Sequence, residues 1–148
     1  MKKVIMRIEK LSGNAQVPQY MSEGSSGMDL YVSAEKDIVL KPLNRALVPT
    51  GIRIEIPRGY EAQVRPRSGL ALEHGIGVLN SPGTIDSDYR GEIKVIVINL
   101  SDKKFVVKPG LRVAQMVLQK VERARVRIVK KVGSSKRGSG GFGHTGVK

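Results

Sequence analysis

The 148-residue chain contains no cysteine, no tryptophan and only two histidines, His74 and His144. Without cysteine there is no disulfide staple, no thiolate nucleophile and no Cys-ligated zinc, and two separated histidines do not make a histidine metal cage. Any metal must therefore be held by oxygen. Aromatic residues make up 4% of the chain, too few for the stacking platform of a single-strand nucleic-acid binder. No long apolar run occurs: the N-terminal stretch is interrupted by Arg7 and Glu9, too short and too charged for a signal or a membrane span. The expectation is a cytoplasmic protein with no membrane partner. Acids are also missing from one place. From Arg123 to the end there are eight Lys/Arg and no Asp or Glu, whereas the rest of the chain sets 18 bases against 13 acids. The net charge of +13 is thus concentrated at the C-terminus. Such a tail binds nucleic acid or steers a small polyanion into a site. With so few aromatics, polyphosphate steering is the better reading.

What is present reads as β structure. Ile52–Ile56, Glu92–Ile98, Arg123–Ile128 and Lys3–Ile8 alternate apolar and polar residues at strand period, and Pro/Gly breaks fall at Pro42, Pro57–Gly59, Pro82–Gly83 and Pro109–Gly110. Roughly nine to eleven short strands are expected, in an all-β sandwich or barrel. At this length, roughly 68–70% of the unfolded surface is buried on folding, enough for a single core. Ser68–Glu73 is the one helical candidate, with Ser68 as N-cap. From Gly133 on the chain is Gly/Ser-rich and basic, the composition of a mobile arm. The expected division is a β domain over 1–132 and a glycine-rich arm over 133–148.

Residues 83–91 (Gly83-Thr84-Ile85-Asp86-Ser87-Asp88-Tyr89-Arg90-Gly91) place two carboxylates, a phenol and a guanidinium inside one glycine-bounded turn. A turn needs its glycines and one Asp for backbone reasons; it does not need the rest. Asp88 and Arg90 read as structural partners. In Arg65-Pro66-Arg67-Ser68-Gly69-Leu70-Ala71, a serine and a glycine at a helix start offer a hydroxyl and free N–H groups, and Arg67 adds a bidentate donor. That reads as a phosphate seat, or as a capping serine among solvated arginines.

Together with Ser26-Gly27-Met28-Asp29-Leu30, Arg112-Val113-Ala114-Gln115-Met116 and Arg137-Gly138-Ser139-Gly140-Gly141-Phe142-Gly143-His144-Thr145-Gly146, these segments resemble, in order and spacing, the five motifs of the trimeric dUTP diphosphatase (dUTPase) family. The resemblance spans nearly the whole chain. It implies a jelly-roll-like antiparallel β-barrel or sandwich (the β-clip of that family) with one short helix and a flexible C-terminal arm. It implies Mg²⁺-dependent hydrolysis of dUTP to dUMP and pyrophosphate by water attack on the α-phosphorus, which keeps uracil out of DNA and supplies dUMP for dTTP synthesis. It implies a homotrimer whose three sites lie at subunit interfaces, each assembled from all three chains.

Residue by residue, the resemblance makes Asp86 the general base, although alone it reads as a turn residue. Tyr89 becomes the ring against the deoxyribose, leaving no room for a 2′-hydroxyl, and Asn80 the amide that reads the uracil edge. Arg67, Ser68, Gly69 and Arg137 contact phosphates, Gln115 lies near the phosphates and attacking water, and Ile85, Phe142 and Gly143 also touch substrate. Asp29 helps to hold Mg²⁺ through water, as suits a hard cation that keeps its waters. The last motif lacks the Gly-Lys-Ser/Thr ending of a Walker loop; its lone phenylalanine and Arg137 suit an arm that orders over substrate. Two alternatives stand beside this reading. One is the sister dCTP deaminase, against which Asp86-Ser87-Asp88-Tyr89 and the full glycine-rich tail weigh. The other is a basic nucleic-acid-binding module, which the charge permits.

Overall fold

Period-two burial organises the chain: between Lys94 and Asn99, Val95, Val97 and Asn99 are buried while Lys94 is exposed and Ile96 and Ile98 are half-buried. The computed structural model describes residues 3–146, and within them the strands are β1 (Arg7–Lys10), β2 (Gln19–Tyr20), β3 (Met28–Tyr31), β4 (Ile38–Leu40), β5 (Arg45–Pro49), β6 (Ile52–Glu55), β7 (Tyr60–Arg65), β8 (Ile76–Val78), β9 (Gly83–Ile85), β10 (Lys94–Asn99), β11 (Phe105–Val107) and β12 (Arg112–Lys120), with helix α1 (Ser68–His74) between β7 and β8. Twelve strands among the described residues slightly exceed the nine to eleven expected. All pairings are antiparallel.

The largest sheet has five strands in the order β2-β3-β12-β7-β9, beside a three-stranded sheet β5-β10-β8 and two-stranded pairs β1-β6 and β11-β4. Antiparallel sheets around one short helix are the expected jelly-roll-like all-β class. Between the sheets lies one apolar cluster whose fully buried members include Leu30, Leu40, Val48, Ile52, Ile93, Val95, Val107 and Met116. Pro49 ends β5, an edge strand, where a missing N–H costs no ladder bond. The helix stops at Gly75, which takes φ 65° and returns its N–H to the Leu70 and Ala71 carbonyls, a left-handed cap that glycine adopts without strain.

Four sequence expectations need correction. The strand expected over Lys3–Ile8 is Arg7–Lys10, and that over Glu92–Ile98 is Lys94–Asn99. Arg123–Ile128 forms no strand; Val126 and Ile128 are 87% and 96% exposed. Its alternation is real, but a strand exists only against a partner edge, and this chain folds none beside it. Ser68 does not cap α1: Arg67 holds the extended cap conformation (φ −95°, ψ 130°) without a side-chain cap bond, and Ser68 is the first helical residue.

Among the described residues Asn99 is the one fully buried amide in the core, and every polar atom of its side chain is used. Its Nδ2 donates to the Leu40 carbonyl (3.0 Å) and the Lys103 carbonyl (2.7 Å), while its Oδ1 accepts from the Ser101 N–H (2.9 Å) and Oγ (2.8 Å). The side chain ties β4, β10 and the loop after β10 together. Asn99→Ala is expected to strand these partners and cost about 3 kcal/mol. Urea denaturation checks this: the midpoint should fall with the slope unchanged.

Candidate active site

The central row of the five-stranded sheet brings motif residues far apart in sequence to one line. Asp29 on β3 pairs with Gln115 on β12, and Gln115 pairs on its other side with Arg65 on β7. Partners in register share a face, so these side chains stand together. Asp29 is 7% exposed, and both carboxylate oxygens are engaged: Oδ1 by Arg67 Nε at 3.2 Å and Oδ2 by Arg112 Nη1 at 3.1 Å. Arg67 also donates through Nη1 to the Arg112 carbonyl (3.0 Å), and Gln115 Nε2 donates to the Pro66 carbonyl (2.9 Å). Two guanidiniums against one carboxylate leave a net positive charge. With Met21, Ser25, Ser26 and Gly27, these groups line an open cleft of about 280 Å³. Arg112, the first residue of its motif, thus stands inside the cationic cluster. Gly27 leaves room for the amide: a β-carbon there would lie 2.5 Å from Gln115 Oε1 and push it aside.

A second cleft, of about 310 Å³, gathers Asn80, Thr84, Ile85, Asp86 and Tyr89, walled by Leu47 and Ile96 from the three-stranded sheet and by Glu92 and Lys94. β9 carries Ile85 into it at the edge of the large sheet, in register with Ala62. Asp86 is exposed, and its carboxylate makes no hydrogen bond among the described residues; its carbonyl accepts the Tyr89 N–H (3.1 Å). Tyr89 donates its hydroxyl to the Glu92 carbonyl (3.1 Å). The expected pairing of Asp88 with Arg90 does not form: Arg90 Nη1 donates instead to the Ser87 and Tyr89 carbonyls, both at 2.8 Å. A guanidinium two residues from a carboxylate reached the nearer backbone acceptors of its own turn. A third cleft, of about 430 Å³, is lined by Gln63, Arg65, Pro66, Ser81, Pro82 and Gln115, and shares Gln115 with the first.

The structure therefore brings Asp29, Arg67 and Gln115 together, and separately Asn80, Ile85, Asp86 and Tyr89. Ser68 and Gly69 are exposed at the start of α1, next in chain to Arg67. Arg137, Phe142 and Gly143 lie apart from both groups. Phe142 is wholly exposed at φ 48°, Gly143 has φ 87°, and Arg137 Nε donates locally to the Gly140 carbonyl (2.7 Å). Sequence reasoning missed the parts played by Gly91 and Glu92 around Tyr89; their signal is the crowding of a folded turn, invisible in one dimension.

The donor set also bears on the implied Mg²⁺. Among the described residues no three His, Cys, Asp or Glu side chains gather, and the one carboxylate in the cationic cleft already serves two arginines. The described residues hold no inner-sphere cage. The oxygen donors present fit only a cation that keeps its waters.

An antiparallel β protein with a paired-arginine seat and a ring-walled cleft beside it is shaped for a small phosphorylated ligand. The chain belongs to the dUTPase family, whose model matches residues 13–146. It is 52% identical over 146 residues, with 99% of both chains covered, to the deoxyuridine 5'-triphosphate nucleotidohydrolase of Fusobacterium nucleatum, and 56% identical over 139 residues to that of Chlamydia pneumoniae, covering 93% of this chain and 96% of the relative. Among solved structures, the dUTPase of Staphylococcus bacteriophage 80alpha, in a G164S form with dUpNHpp, superposes with a TM-score of 0.88 at 23% identity over 97% of this chain and 99% of that one. That likeness fixes the fold.

Proposed function

We propose that this chain hydrolyses dUTP to dUMP and pyrophosphate with Mg²⁺ and water, as a homotrimer in which different subunits supply the two clefts and the arm. The observation that carries the reading is the sorting of motif residues into a cationic cleft around Asp29, Arg67, Arg112 and Gln115 and a ring-walled cleft around Asn80, Asp86 and Tyr89. Among the described residues none lines both. A nucleoside triphosphate has the same two ends, and subunit packing gives separated half-sites a way to face each other.

In this reading Tyr89 and Ile85 hold the sugar and base, and Asn80 offers a donor and an acceptor to the uracil edge. Selection is strong because a wrong base leaves buried polar groups unpaired. Arg67, Ser68 and the Gly69 N–H, joined by Arg137 from the arm, hold the phosphates. Asp86 takes a proton from water as its oxygen bonds to the α-phosphorus; the bond from that phosphorus to the α,β-bridging oxygen breaks, and pyrophosphate leaves with the electron pair. When bound, Mg²⁺ neutralises charge on the triphosphate. Gln115, fixed by its bond to the Pro66 carbonyl, orients its amide toward the phosphates. Little covalent chemistry falls to the protein, so positioning and fixed charge supply most of the rate.

The test is pyrophosphate release from dUTP, dCTP, dTTP and UTP, each with Mg²⁺ and with a chelator, followed by analysis of the base in the product. Mg²⁺-dependent release from dUTP alone, giving dUMP, is expected. Uracil product from dCTP would move the chain to the deaminase branch, and no release from any of the four would remove the reading.

A further inference from the structure

Tyr89 is held at two points by its own turn. Its hydroxyl donates to the Glu92 carbonyl at 3.1 Å, and Glu92 is itself anchored, with Oε1 accepting the Gly51 N–H at 2.9 Å and Oε2 facing Lys94 Nζ at 3.3 Å. The second point is Gly91, on which the ring rests. A β-carbon at position 91 would lie 2.5 Å from Tyr89 Cζ and 2.9 Å from Cε2, and nearer still to the hydroxyl oxygen. Glycines 69, 141 and 143 have open space where a β-carbon would go. Gly91 also lies outside the left-handed region that seven other glycines occupy, so its backbone does not call for glycine. The ring does.

We propose that Gly91 is a positioning residue for the sugar end of the site: by leaving space under the Tyr89 ring, it sets the preference for deoxyribose over ribose. The inference rests on the reading of Tyr89 as the wall against a 2′-hydroxyl. A methyl group at 91 needs ordinary carbon contacts of about 3.5–4 Å, so the ring must move by about 1 Å or more. The overlapping atoms are the far end of a side chain that is 44% exposed. The ring therefore yields and the backbone does not, which separates specificity from stability at this residue. Misplacement of a wall by about 1 Å is enough to change discrimination by about 10- to 100-fold.

The experiment compares Gly91→Ala, Tyr89→Ala and the double variant with the unmodified protein, reading kcat/KM for dUTP and for UTP together with the melting temperature. Gly91→Ala is expected to lower the dUTP-to-UTP ratio about tenfold or more while melting within about 3 °C of the parent. In the Tyr89→Ala background the same change should lower the ratio no further, because the residue acts through the ring. A Gly91→Ala ratio within about twofold of the parent, a further fall in the double variant, or collapse of the fold would each overturn the proposal. If Tyr89→Ala alone kept the full preference, the reading of Tyr89 would fall, and the proposal with it.

Discussion

Asp86→Asn is expected to remove turnover of dUTP by at least about 10²–10⁴-fold, the range a positioned general base contributes, with nucleotide binding nearly intact. An amide has the shape of the carboxylate but cannot take a proton from water. The structural cost is small because the carboxylate makes no hydrogen bond among the described residues and the residue is exposed; only its carbonyl is tied, to the Tyr89 N–H at 3.1 Å. Single-turnover kinetics with dUTP, alongside calorimetric titration with a non-hydrolysable analogue, separates chemistry from binding. Substantial residual turnover would move the base elsewhere, with Asp88, exposed two residues further on, next in line.

Removal of the chain from Lys136 onward should leave the fold and the melting temperature almost unchanged and take away most of the activity. The last strand ends at Lys120, and the described residues beyond it contain turns but no strand or helix. Hydrogen bonds in the tail close on themselves: Gly140 to Arg137, His144 to Gly141, Gly146 to Gly143. Among the described residues, no hydrogen bond runs from this segment to the core cluster. What is lost is a fully exposed ring and a guanidinium that bind substrate only if the arm reaches it. Phe142→Ala alone should cost about 1–3 kcal/mol of stacking, roughly 5- to 150-fold in kcat/KM. An unaltered rate in the truncated protein would show that the tail takes no part.

How far the sequence carried depended on whether a feature is set locally. The run from Val95 to Ile98 forecast a strand because β-branched residues favour one locally, whichever face is later buried. The alternation from Arg123 to Ile128 forecast one that does not form, because pattern selects a face and only a partner supplies an edge. Ser68 was legible as the start of a helix, but whether it caps or opens the first turn depends on the backbone of Arg67. The motif residues of the two clefts could be named in advance; their sorting could not. Asp29 meets Arg67 and Arg112 across separations of 38 and 83 residues, contacts that come from strand order rather than spacing. Gly91 was read only as the end of a turn, since what occupies the space beneath a ring appears only after folding.

The pairing of Asp29 with two arginines also has a thermodynamic meaning. A free arginine gives up roughly 1.5–2 kcal/mol of rotamer freedom when it is immobilised, and in a flexible site that cost falls on the binding step. Here Arg67 and Arg112 are already oriented by one buried carboxylate, so the ordering is completed during folding. The two guanidiniums are thus preorganised by folding alone, whereas the described hydrogen bonds of the tail close only on the tail itself.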